Sequence, residues 1–163
     1  MSFETEFVNF IKTRPAFYNP IVAAIGGSPS PSSSAVVSRL CYGQAPATVG
    51  KLPYVVWTGP FDYDPGNFSG GHLSQKKAQF WFSVYTAYLD DAIDWISAIE
   101  EDLVGLFVTG YIHNLTTCRI TQMIQNAGTK THIGSNQTSR TGEEFPTCGA
   151  TIAFTVGWQN GTP

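Results

Sequence analysis

Charge is what this 163-residue chain has least of: charged side chains make up 13% of it, about half the share of an ordinary soluble domain. Nine Lys and Arg against twelve Asp and Glu leave a net charge of -3. That balance excludes a broad basic face that grips nucleic acid. No run approaches the roughly eighteen apolar residues of a membrane-spanning helix, so no membrane is expected as a partner. Residues 1–12 carry Glu4 and Glu6 where an export signal would carry basic residues. Export by an N-terminal signal is therefore not expected. The three cysteines, Cys41, Cys118 and Cys148, lack metal-type spacing. They read as reduced thiols in a reducing cytoplasm, with a Cys118–Cys148 disulfide as the alternative.

What the chain does have is core material. Hydrophobic residues make up 42% of it and aromatics 13%, including eleven Phe, which excludes disorder of the whole chain. This length fits one globular domain over 1–163, with no internal repeat and no composition break. Ser, Thr, Gly and Asn fill the polar positions that charges usually take. That is the composition of a subunit whose surface meets other protein.

The first helix is written clearly. Ser2 can cap it, Glu4 and Glu6 suit its positive end, and Phe3, Phe7, Phe10 and Ile11 recur at helical spacing. Pro15 should stop or kink it. A short helical piece at 20–25 ends on Gly26 and Gly27, and 28–34 is a Pro/Ser segment read as a flexible loop or partner-ordered arm. Four strands are predicted at 52–58, 77–85, 115–124 and 150–158, the second with one apolar and one amphipathic face, so that both are covered in part. The strongest helix is 90–106, with Asp90 as cap, Trp95 at the border and Ala92, Ile96, Ile99, Leu103 and Leu106 on one stripe. Asp91, Asp94, Glu101 and Asp102 take its solvent side. Residues 128–148 read as a long polar loop. The order α, β, β, α, β, β predicts an α+β fold. Its four-stranded, mostly antiparallel sheet packs against the long amphipathic helix, with an additional N-terminal helix. Phe80, Phe82, Ile96, Ile99, Leu103, Ile120 and Phe154 are the expected core.

Catalytic constellations are absent from the sequence. Asp62, Asp64, Gly66 and Asn67 resemble the start of a calcium loop, but Asn67 and Leu73 stand where that loop wants Gly and Glu. Turn chemistry explains the same residues. His72 follows Gly70 and Gly71 without a nucleophile nearby, and reads as a solvated or interface residue. His113 and His132 read as loop residues, and Glu143 and Glu144 as solvated surface. The glycine pairs lack the Lys-Ser/Thr of a phosphate loop. Lys76 and Lys77 form the one basic pair, without interleaved aromatics. The sequons at Asn67, Asn114, Asn136 and Asn160 read as chance in so Ser/Thr-rich a chain. No enzyme, cofactor or metal is expected.

Large aromatics do stand out in the loop 59–74. Phe61, Tyr63, Phe68 and His72 lie there among Gly, Pro and Asp. They are read as an assembly interface, since aromatic anchors dominate protein contacts. The competing reading is a lid folded back on the core.

The element order, the strand Leu52-Pro53-Tyr54-Val55-Val56-Trp57, the Gly-rich loop with His72, the strand 79–86, the acidic helix and the closing strand 152–158 carry a resemblance. Over residues 3–158 the chain resembles the tail terminator, or tail completion, proteins of long-tailed bacteriophages. The resemblance implies a virion protein made in the host cytoplasm. It implies a ring, typically of six subunits, that caps the tail tube protein and offers its other face to the head connector. DNA would pass through the lumen without specific binding. The segment 28–34 and the loop 128–146 are longer than the family usually has, as partner-specific arms or a neighbouring head–tail joining protein would have. A non-viral α+β module binding a small ligand or peptide is the alternative from another class.

Overall fold

The computed structural model describes residues 2–46, 52–66, 75–106, 113–138 and 144–160. Its spine is the antiparallel pair β3 (Lys76–Thr86) and β7 (Glu144–Asn160), in register from Lys76↔Trp158 to Thr86↔Cys148 without a shift. On β3 every second residue is buried, so Ala78, Phe80, Phe82 and Val84 face the core. On β7 their partners Val156, Phe154, Ile152 and Ala150 do the same. This is the period-2 signal of a sheet with one packed face.

Three further strands were not in the sequence expectation, and among the described residues the sheet has seven strands rather than four. The path runs β1 (Leu40–Tyr42), β2 (Tyr54–Asp64), β3, β7, β5 (Cys118–Gln125) and β4 (His113–Asn114), while β6 (Thr131–Thr138) pairs β7. Only β1–β2 is parallel. β5 and β6 lie in succession along the same side of β7, β5 against residues 154–160 and β6 against 144–151. Within the polar loop expected at 128–148, residues 131–138 form β6 and residues 144–148 begin β7. His113 and His132 fall in strands, not loops. Backbone ladders satisfy a polar strand as well as an apolar one, which is why periodicity did not show it.

All helices pack on the Phe80 face. α1 (Phe3–Lys12) is capped by Ser2, whose Oγ accepts from Thr5 N at 3.2 Å. Phe3 stacks on Trp158 at 4.0 Å between ring centroids, and Phe7 meets Phe80 at 4.7 Å. Pro15 opens α2 (Pro15–Ile25) as its first residue, where a missing N–H costs nothing. α3 (Ser34–Val37) follows. α4 (Leu89–Gly105) begins after Tyr88, so Asp90 sits in its first turn and is not its cap. Trp95 is buried, not at the border. Phe80, Phe82, Ile96, Ile99, Leu103, Ile120 and Phe154 are each at most 1% exposed and belong to one cluster.

Two polar contacts join α2 to α4. Pro20 lies inside α2 and offers no N–H to the carbonyl of Ala16, four residues back. The indole Nε1 of Trp95 donates to that carbonyl instead, at 3.0 Å. Arg14, at the entrance to α2, adds a bidentate pair to Asp102 at 2.6 and 3.0 Å and lies over the Phe10 ring. Trp95→Phe should cost about 1–3 kcal/mol through the orphaned carbonyl, before any packing loss. Urea unfolding measures this, and a loss below about half a kcal/mol would show the bond to be dispensable.

Candidate functional site

β2 leaves the core halfway along its length. From Tyr54 to Trp57 it is flat against β3, then its register shifts between Thr58 and Phe61 and again between Phe61 and Asp64. Gly59 marks the departure: at φ 146° its backbone lies so close to β3 that a Cβ would stand 2.6 Å from the Phe80 ring and 2.8 Å from the Gln79 carbonyl. Only glycine fits there. Asp62 takes φ 51°, and the strand twists its last residues outward, as bulges do.

This twist decides where the aromatics go. Phe61 is 46% exposed and Tyr63 50% exposed. Tyr63 leans on Trp158 at 6.0 Å, extending the Phe3–Trp158 stack. Tyr63 thus has one face against the core and one in water, and the lid and interface readings both have a foothold in it. Phe61 keeps nearly half its surface in solvent. Phe68 and His72, the other two residues expected at an interface, lie outside the described residues. The acidic turn is explained locally: Asp64 Oδ1 accepts from Gly66 N at 2.9 Å, a side-chain-capped turn. Among the described residues no three His, Cys, Asp or Glu side chains stand together as a metal site, and no helix is long and apolar enough to cross a membrane.

A second surface went unnoticed in the sequence. At the opposite end of the β2–β3 pair a groove of about 560 Å³ opens between α2 and α4. Ala23, Ala24, Pro53, Ala87 and Ala98 line it, and Asp91 and Asp94 stand at its rim. Its walls come from four separate segments. The one local hint is small residues surrounding a buried Trp95.

The third feature missed is a buried carboxylate. Glu6 is 4% exposed although it lies on the first turns of a helix. Its oxygens accept from the Thr117 backbone N–H at 3.0 and 3.1 Å, from the Thr117 hydroxyl, and from Cys118 Sγ at 3.3 Å. Burial opposes its ionisation. The bonds from the Thr117 side chain and backbone, Cys118 and the Thr116 backbone outweigh that and hold its pKa below the ordinary carboxylate value. Cys118, buried and facing this anion, is pushed up to about 12 and stays a thiol donor. The sequence did carry a sign: Glu6 sits inside the stripe Phe3, Phe7, Phe10.

The pair ties α1 to the β4–β5 turn and makes stability depend on pH. With the folded pKa depressed, the stabilisation is complete above the unfolded value and is lost as pH falls through the folded one. Calorimetry should show the melting temperature steady down to about pH 5 and falling below about 4.5. Glu6→Gln should melt lower at neutral pH and show a shallower acid slope. An unchanged slope would remove Glu6 as the cause.

No family model and no curated protein matches the sequence. Among solved structures, the fold is similar to a chain described as "Virion of native gene transfer agent (GTA) particle". The identity is 16% and the TM-score 0.47, over 85% of this chain and 92% of that one.

Proposed function

We propose that this chain is a structural subunit of a phage-like virion: a tail terminator that forms a ring, typically of six copies, on the finished tail tube. Its other face then receives the head connector, and DNA passes through the lumen without being gripped. The observation that carries this reading is the outward-twisted end of β2, which holds Phe61 and Tyr63 half in water. Exposed aromatics in a chain so short of charge are suited to a protein contact. The element order that resembles tail terminators supports the same reading. So does the charge balance of -3, which favours passage of DNA over binding it.

The mechanism is arrest of polymerisation. A head-to-tail contact between copies closes into a ring when its rotation closes. One face of that ring complements the tube, and the other recruits no further tube subunit. Such a protein needs rigid placement of contact residues and no reactive group, so no catalytic or metal-holding residue is assigned.

A second reading has one observation in its favour. The apolar groove between α2 and α4 has the volume of a small-ligand or peptide site. Under that reading the chain is a binding module that works alone.

Co-production with the other tail proteins of its own genome separates the two. The terminator reading expects tube-capping rings of about 106 kDa, six chains of 17.7 kDa, seen by electron microscopy and native mass spectrometry. The double variant Phe61→Ser, Tyr63→Ser should keep its circular-dichroism melt within a few degrees and fail to cap tubes. Normal capping by that variant would remove the β2 aromatics from the interface. A chain that stays monomeric beside capped tubes would remove the terminator reading itself.

A further inference from the structure

Edges of a β-sheet are templates for other strands, and proteins usually blunt them with charges, proline, bulges or brevity. Most edges of this sheet are blunted in those ways. β1 has three residues and β4 has two. The part of β2 that β1 leaves uncovered carries Pro60, Asp62, Asp64 and two register shifts. The pairing of β5 with β7 shifts after Ile120.

β6 has none of these devices. It runs eight residues, Thr-His-Ile-Gly-Ser-Asn-Gln-Thr, without Pro, Lys, Arg, Asp or Glu. It pairs β7 from Thr131↔Thr151 to Thr138↔Glu144 without a register shift. Among the described residues no strand pairs its other side. Thr131, His132, Ile133 and Gly134 are all exposed, so neither face of this stretch is covered, and Ile133 is 69% exposed. β3 ends against Cys148, so the pair of β6 and the first residues of β7 runs on past the end of β3.

We propose that β6 is a strand-addition edge through which two copies of this chain pair, β6 antiparallel to β6, about a two-fold axis. Antiparallel pairing of identical strands is what a two-fold axis produces, and both copies then satisfy the same backbone groups. A second copy is the occupant that the charge pattern favours. An uncharged strand meets its own image without like-charge repulsion, and it offers a charged partner nothing to pair with. Two seven-stranded sheets would join into one. This contact is isologous and a ring contact is heterologous, so the two stand or fall separately.

The test uses Thr131 and Ile133, which share the face away from the helices. Sedimentation should find the wild-type chain in a concentration-dependent dimer. Thr131→Lys, Ile133→Lys and, separately, Thr131→Glu, Ile133→Glu should each weaken it by about tenfold or more, since both edges of the join then carry the same charge and the two copies of position 133 lie near each other. An equimolar mixture of the two variants should restore a one-to-one heterodimer, seen by native mass spectrometry. Backbone amide exchange of residues 131–138 in the wild-type chain should slow as concentration rises, a readout that needs no variant to fold. A monomer at every attainable concentration would overturn the proposal. So would a dimer that neither variant weakens, a mixture that restores nothing, or exchange at β6 indifferent to concentration. Protection of β6 that arises only when other virion proteins are added would assign the edge to one of them and overturn self-pairing.

Discussion

Eleven consecutive cross-strand pairs between β3 and β7, unbroken by any bulge, hold this fold in register. A one-residue slip would move Phe80, Phe82, Ile152 and Phe154 from the packed face to the other. Each buries fully, and each such side chain contributes about 1.5–3 kcal/mol. The slip is therefore prohibitive. Everything else is referred to this pair: β2 is placed by β3, β5 and β6 by β7, and α4 lies across both.

Aromatic burial draws the helices onto the sheet, but burial has no direction. Direction comes from a few polar contacts between residues far apart in the chain. Trp95 reaches a carbonyl that Pro20 leaves without its helical donor, Arg14 clamps Asp102, and Glu6 gathers the donors of the β4–β5 turn. A buried carboxylate is tolerable only with such a full set of donors. With them, α1 has one seat. Phe3 then lies flat on Trp158, and Trp158 in turn supports Tyr63 at the exposed end of β2.

Legibility in the sequence follows from the range of the forces involved. The stripe of α4 and the alternation of β3 and β7 repeat every few residues, so a short window contains the whole signal. The α+β class and the seven core residues followed from that. β1 has too few residues for a pattern, and residues 131–134 of β6 show no alternation because all four are exposed. Pro15 was legible as a boundary, though it turned out to open the second helix as well as to close off the first. Glu6 looked like an ordinary first-turn acid, since its partner Thr117 is 111 residues away. At the candidate site, composition singled out Phe61 and Tyr63. What it could not supply was the twist at Gly59 that sets one ring in water and lets the other lean on Trp158. The groove was illegible for a related reason: no single segment contains it.

The two faces of the sheet show why the low charge is tolerable. The helix side is sealed by rings and aliphatics. The other side, which no helix covers among the described residues, protects itself by pairing its own side chains. Tyr54 stacks on Tyr85, Trp81 donates to Gln79, Thr131 meets Thr151 and Thr155 meets Asn126. Neutral pairs of this kind satisfy hydrogen bonds without the desolvation cost that ions pay on meeting another protein. Charge is instead gathered on α4, where Asp90, Asp91, Asp94, Glu100, Glu101 and Asp102 stand with no basic residue in the helix. Arg14 and Lys130 pair two of the six from other elements. Half of the chain's twelve acidic residues thus lie on one helix, while the side chains that pair on the other face of the sheet are neutral. A neutral surface of that kind costs little to desolvate, so contacts there can form from modest aromatic and backbone complementarity.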